Sequence, residues 1–381
     1  MKKKALIFIS VVLLVLAIVP IVNLIGSRTA QNKKEKIWWH GSALYNFDFA
    51  LPYIRGIFYP LGISTNPNQV MIGKDDWLYL GDRYKEKQDN KTLTIIRRGA
   101  TSEDVKIAKK IGIATKAWGQ WLKEKGVSQY QIMLGPDKGT IYSEFLPDWV
   151  QPASESVTNV LLANVSQEIY VDSRTALKQA KSQYLEPLYY KTDTHWNSLG
   201  AWVAFRTFTQ NLNRKGGKLH WISEHQVRVA RVKERGGGDL ASFLWMKKML
   251  RDSEVVIEID SGLPLKTEHY DFETGHLILS DDNNPITPPR HPLLVKSKNA
   301  MNQKRVLWLR DSFGNAMAPF MAATFTETLQ LRYDLATPEV FARLVNTYKP
   351  DYVFITVVER DARCWWFAEL PPTIVASGSN Q

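Results

Sequence analysis

Two short segments hold side chains able to do acyl chemistry. Tyr190-Lys191-Thr192-Asp193-Thr194-His195-Trp196-Asn197 precedes a stretch with helical periodicity, and Leu307-Trp308-Leu309-Arg310-Asp311-Ser312-Phe313-Gly314-Asn315 follows a strand-like apolar run. In an extended segment residues i and i+2 face one side, so the Asp193 carboxylate can accept a hydrogen bond from one nitrogen of His195. That contact fixes the imidazole tautomer and stabilises the imidazolium once the ring takes a proton. A serine hydroxyl is a poor nucleophile until such a base removes its proton. Ser312 is the expected partner, because it leaves a buried strand at a turn into a helix, where its backbone N–H is free to face an oxyanion. Arg310, Arg360 and Gly238 are further candidates for the oxyanion or substrate, with salt-bridged structural arginines as the equal alternative for the first two. Gly238, in the run Gly236-Gly237-Gly238, is expected at a tight turn or close approach on the site rim.

Other readings of the same residues exist. Asp193 could cap the following helix, His195 could be a core histidine, and Asp311-Ser312 could be strand-end turn chemistry. Asp and His are also metal ligands, but His40, His220, His225, His269, His276 and His291 show no H-x-x-x-H or H-x-H spacing, so no metal is expected. The glycine run lacks a following Lys-Ser/Thr and is no phosphate loop, and no cofactor is expected. The one cysteine, Cys364, excludes an intramolecular disulfide framework and a Cys-rich zinc module.

These side chains need an α/β frame. Ser102 is the expected N-cap of a helix carrying Ile107, Ile111, Ala114, Trp118 and Leu122 on one face and stopped by Gly126. Residues 130–134, 169–171 and 305–309 read as strands, with Ser173 capping a short helix after the second. Trp202, Phe205, Phe208 and Leu212 give one face to a helix from about Ser198. Thr337-Pro338 opens a helix that ends at Lys349-Pro350, and residues 351–358 then form a strand apolar on both faces. Such strands lie inside a sheet covered by helices on both sides, so three layers with a mostly parallel sheet are expected. Residues 254–300, β-rich and with four prolines from Pro285 to Pro292, read as an insertion.

The chain has 381 residues, 44 % hydrophobic and 23 % charged, an ordinary globular composition. Its net charge is +11, spread along the chain, which alone selects no partner. After Lys2-Lys3-Lys4, residues 5–25 carry no charge and at helical rise span roughly 30 Å, about the thickness of a bilayer core. Arg28 stands where signal cleavage would need a small residue, so an uncleaved membrane anchor over 1–27 is expected, with the body translocated. Residues 28–70 read as an aromatic stalk that either packs on the main domain or sits at a membrane interface. The main domain is placed at 71–365 and a tail at 366–381.

Several motifs occur together in one order: Gly73-Lys74-Asp75-Asp76-Trp77-Leu78-Tyr79, Gly135-Pro136-Asp137-Lys138, the Asp193-Thr194-His195-Trp196 segment with Gly200-Ala201, Gly238-Asp239-Leu240, and Arg310 to Asn315. Over roughly residues 70–360 the chain resembles the alginate O-acetyltransferase AlgX/AlgJ family of SGNH hydrolase-like proteins. The resemblance implies a three-layer SGNH-hydrolase-like domain and a triad of Asp193, His195 and Ser312. It departs from ordinary SGNH esterases in having Arg310 where their Gly-Asp-Ser has glycine. Arg310-Asp311-Ser312-Phe313 with Val358-Glu359-Arg360 also resembles a related group with Asp-His-His-Trp motifs. The resemblance to the AlgX/AlgJ family implies O-acetylation of an exported polysaccharide through an acetyl-serine, and an acetyl-supplying membrane-bound O-acyltransferase as partner. Nucleic acid is not expected as a partner. A periplasmic or exterior domain on an inner-membrane anchor is the implied location. A carbohydrate acetylesterase with the same triad, or a non-catalytic scaffold of an export complex, are the competing functions.

Overall fold

The computed structural model describes residues 2–29, 45, 51–81, 99–214, 219–260, 262–281 and 283–372. Much of the 28–70 stalk, the basic residues after position 30 and the end of the tail lie outside the described residues. Within the stalk, helix Leu51–Phe58 packs on the main body, where Arg55 Nη1 donates to Leu244 O at 3.0 Å.

The strands, in chain order, are β1 (Val70–Ile72), β2 (Leu78–Leu80), β3 (Gln129–Gly135), β4 (Tyr170–Asp172), β5 (Val227–Gly236), β6 (Arg251–Ile259), β7 (Lys266–Asp271), β8 (Leu277–Asp281), β9 (Leu293–Lys298), β10 (Asn302–Arg310), β11 (Phe325–Arg332) and β12 (Tyr352–Val358). Eight of them make the central sheet, in the order β4-β3-β12-β10-β11-β9-β7-β8. The first five in that order are mutually parallel, and the last three continue it as an antiparallel run. The 254–300 stretch is strand-rich as expected, yet β7, β8 and β9 extend the main sheet. β6 pairs with β5 in a separate two-stranded ribbon.

Side-chain alternation explains the layers. On β12, Tyr352, Phe354 and Val358 join the core containing Trp202, Phe205 and Phe320 from helices Ser198–Arg214 and Ala318–Thr324. The intervening Val353, Ile355 and Val357 join the opposite core with Trp118, Leu161 and Phe341 from helices Ser102–Glu124, Val157–Asn164 and Pro338–Tyr348. β10 divides likewise, Val306 and Trp308 to one side and Leu307 and Leu309 to the other.

Local signals held with small shifts. Thr101, not Ser102, caps the first long helix, because Thr101 and Asp104 form a reciprocal capping box. Gly126 takes φ +86° and ends the turn. Thr337 accepts from Val340 N, and Lys349 closes that helix in a left-handed conformation.

The anchor is corrected. Lys2–Thr29 is helical with Pro20 inside it, but among the described residues no helix is long and apolar enough to cross a membrane. Pro20 removes one helical hydrogen bond and Asn23 adds an amide to the apolar run. The transmembrane helix expected over 1–27 is therefore not supported, nor is inner-membrane anchoring.

Candidate active site

β10 aims the serine. It runs parallel between β12 and β11, and at its carboxyl end Asp311 turns the chain. Asp311 N donates to Thr356 O at 3.1 Å, and its two carboxylate oxygens accept from Phe313 N at 2.9 Å and Val358 N at 2.6 Å. Burial pushes this carboxyl up to about 6, in spite of those N–H bonds. The turn Ser312–Met317 follows, with Ser312 at its start.

The Asp193–His195 segment is a bend and not the extended run the sequence implied. A bridge between Tyr189 and Trp196 closes it, and Asn197 caps the helix beyond, accepting from Leu199 N at 3.0 Å and Gly200 N at 3.1 Å. Asp193 is thus released from capping. Its carboxylate instead accepts from His195 N at 3.2 Å and lies 2.7 Å from His195 Nδ1. Burial would raise the Asp193 carboxyl, but the His195 contacts and the Arg235 charge outweigh it and hold the group well below the usual carboxylate range. An ionised carboxylate only accepts, so Nδ1 carries the proton and Nε2 is left to accept. Nε2 lies 2.7 Å from Ser312 Oγ. The three side chains singled out in the sequence are therefore brought together in one hydrogen-bonded line.

Several residues that the sequence reading gave no role hold the bend in place. The buried Lys138 ammonium donates to the carbonyls of Tyr190 at 2.9 Å and of Lys191 and Asp193 at 2.8 Å. Burial pushes this amine down to about 7, with Asp193, Asp252 and Asp239 pulling it back up. Asp252 accepts from Thr192 N at 2.7 Å and Thr192 Oγ1 at 2.6 Å. Asp239 accepts from Thr194 N at 2.8 Å and Thr194 Oγ1 at 2.5 Å. Lys138 and Asp239 sat inside motifs already singled out, whereas Asp252 carried no local signal.

Gly238, Arg310 and Arg360 prove to have other partners. Gly238 N donates to Thr192 Oγ1 at 2.9 Å, and a Cβ there would lie 2.4 Å from Asp193 Cβ and Oδ2, so its bareness admits the carboxylate. Arg310 is fully buried, donating to Gln330 Oε1 and Asn315 Oδ1, both at 2.9 Å, and to Ile286 O at 2.8 Å. Burial pushes its guanidinium down to about 9. Arg360 pairs with Asp137 under the Phe313 ring. Next to it Glu359 accepts from Asp137 N at 2.9 Å, Thr140 and Thr158. The Gly135-Pro136-Asp137-Lys138 and Val358-Glu359-Arg360 motifs thus form one polar cluster beneath the serine turn.

A cavity of about 990 Å³ opens at the triad, lined by Asp193, His195, Ser312 and Asn315 and continuing along β6. Asn315 has its amide oxygen held by Arg310, which leaves its NH2 as the end able to donate. With the Ser312 backbone N–H it gives two candidate donors for an oxyanion.

Asp193, His195 and Asp239 also bring ligand atoms within 4.8 Å of one another, a grouping that could hold a metal ion. Their hydrogen bonds to each other, to Thr194 and to Ser312 already use those atoms.

Residues 70–255 match the family model described as SGNH hydrolase-like domain, acetyltransferase AlgX. The match holds Asp193, His195 and Gly238; Ser312 lies beyond it and is placed by geometry. Among solved structures, Bacillus cereus PatB1 is similar at TM-score 0.56 and 16 % identity, over 79 % of this chain and 99 % of that one. A DHHW family protein from Eubacterium siraeum is similar at 0.55 and 17 %, over 82 % and 98 %. The O-acetyltransferase domain of Pseudomonas putida AlgJ gives 0.45 and 16 %, over 80 % and 93 %. At these identities the likeness to the first two is one of fold. No curated protein matches the sequence.

Proposed function

We propose that this chain, whose residues 70–255 match the model of an SGNH hydrolase-like domain, acetyltransferase AlgX, transfers acetyl groups to hydroxyls of an exported polysaccharide through an acetyl-serine. The observation that carries this reading is the pair of 2.7 Å contacts joining Ser312, His195 and Asp193 at the mouth of the cavity.

Ser312 Oγ attacks the carbonyl carbon of an acetyl ester or thioester while its proton passes to His195 Nε2. Asp193 holds the ring and balances the imidazolium. The carbonyl oxygen becomes an oxyanion facing the Ser312 N–H and the Asn315 amide. Collapse expels the donor's leaving group, which takes the proton from His195, and acetyl-Ser312 remains. A sugar hydroxyl then gives its proton to His195 and attacks the acetyl carbon, and Ser312 Oγ leaves with that proton. Transfer prevails over hydrolysis when the cavity positions the sugar better than water.

A membrane-bound O-acyltransferase as acetyl supplier, and a periplasmic or exterior location, complete the proposal; the family match supports the location. Its test is incubation of the full chain with a chromogenic acetate ester, with and without a sugar acceptor. Acetylated sugar that disappears in Ser312→Ala supports transfer. Acetate alone makes the protein an acetylesterase, and polymer acetylation that persists in cells carrying Ser312→Ala makes it a scaffold.

A further inference from the structure

Asp193 has a second charged neighbour that the acyl-transfer steps do not use. Its Oδ1 faces His195 Nδ1 at 2.7 Å, and its Oδ2 lies 3.7 Å from Arg235 Nη2. The register of the β5–β6 ribbon sets Arg235 opposite Asp252 and Lys233 opposite Glu254, so Arg235 and Glu254 are diagonal neighbours within reach of long side chains. Arg235 Nη1 donates to Glu254 Oε2 at 3.4 Å, and the guanidinium lies 4.2 Å from the centre of the Tyr190 ring. Tyr190 OH in turn donates to Glu254 Oε1 at 2.6 Å. One guanidinium thus ties the bend, β5 and β6 together beside the triad.

The charge matters because a general base must give its proton back. Two carboxylates press on His195 from the Nδ1 side, Asp193 at 2.7 Å and Asp239 at 3.8 Å, and both favour the imidazolium. A ring that holds its proton too firmly neither takes the serine's nor delivers one to the leaving group. Of the other charged side chains around the bend, Asp239 and Asp252 are acids engaged by Thr194 and Thr192, and Lys138 is an amine that burial pushes down to about 7. An arginine guanidinium is a fixed cation. We infer that Arg235 is a positioning residue of the acyl transfer: clamped by Tyr190 and Glu254, it draws on the far oxygen of Asp193 and so weakens the hold of the carboxylates on the His195 proton. This rests on the triad reading of the site and adds to it the pair that balances its charge.

The experiment follows acylation of Ser312 by a chromogenic acetate ester in the full chain, as kcat/KM against pH, whose acid limb reports the free base. Arg235→Met removes the charge and keeps the stem. The acid limb should then move to higher pH by about half a unit or more, a loss of about threefold or more on that side. Arg235→Lys keeps a cation and should leave the limb near its unmodified place; a limb displaced as far as in Arg235→Met overturns the inference. Glu254→Gln still accepts from Tyr190 but no longer offsets the guanidinium, so its limb should move to lower pH. A purely structural arginine lowers the melting temperature and leaves the limb where it is, and that result in Arg235→Met overturns the inference. Should Arg235→Met fail to fold, Glu254→Gln decides, and an unmoved or rising limb there overturns it. Failure of the unmodified chain to acylate Ser312 overturns the triad and the inference together, whereas an unmoved limb overturns the inference alone.

Discussion

Trp196 Nε1 donates to the backbone carbonyl of Phe313 at 2.9 Å and so fastens the residue after the candidate base to the residue after the candidate nucleophile. Both partners are buried, the Phe313 ring lies 5.0 Å from the Trp196 ring and 5.2 Å from the His195 ring, and Gly135 leaves room for it. The 2.7 Å spacing between His195 and Ser312 is set from behind by this pair. Trp196→Phe keeps most of the packing but strands a buried carbonyl, at a cost of about 1–3 kcal/mol. The expected outcome is a lower melting temperature and slower sulfonylation of Ser312 by an arylsulfonyl fluoride, read by mass spectrometry. Unchanged sulfonylation would show that the bond does not set the spacing.

Ser312→Ala, His195→Ala and Asp193→Asn should each lower acetyl turnover by about 10³-fold or more. Asp193 is held well below the usual carboxylate range and stays ionised, so the acid limb of the rate profile does not report this carboxylate. Measuring kcat against pH for the unmodified chain and Asp193→Asn checks this: the substitution lowers the whole profile.

Lys138 couples the site to alkaline pH. With its amine pushed down to about 7, it loses a proton above that pH and then has too few N–H bonds for three carbonyls. Activity should fall as pH rises through about 7 to 9. Stability moves the other way: the folded value lies below the ordinary 10.5, so the unfolded chain binds more protons across that window. The group's contribution therefore rises with pH, and the stability difference between the unmodified chain and Lys138→Met should grow from about pH 7 to about pH 10. Denaturant titration across that range measures it.

Gly238→Ala should damage catalysis more than folding. The new methyl would meet the Asp193 carboxylate at 2.4 Å and push it from His195. A loss of about 10²-fold or more in kcat with a small change in melting temperature is expected. A large loss of stability with normal turnover per folded molecule would contradict this.

Asn315→Ala removes one candidate oxyanion donor and should lower kcat by about 10²–10³-fold with little change in KM. Steady-state kinetics on a chromogenic acetate separates this from a binding defect, which would raise KM and leave kcat.

The strands and helices that carry the site were legible because each has a local cause. The apolar run of β12, buried along its whole length, the cap at Thr337 and the stop at Gly126 are written in neighbouring residues. The order of strands was not, and so the 254–300 stretch read as an insertion although β7, β8 and β9 complete the sheet. The amino-terminal run read as a membrane anchor from length and polarity alone, and among the described residues no helix meets that description.

For the site the division is sharper. Residue types and spacing put Asp193, His195 and Ser312 forward with other readings open, and the family resemblance joined them as a triad, since a carboxylate, an imidazole and a hydroxyl are chemically legible one at a time. Which donors remain open was decided only by the fold. Arg310, Arg360 and Gly238 have identities that fit an oxyanion site, yet each faces a partner distant in the chain: Gln330, Asp137 and Thr192. Lys138 and Asp252 act on the bend from positions more than fifty residues away. A hydrogen bond joins atoms that are close in space, and for such pairs closeness arises only once the sheet has assembled.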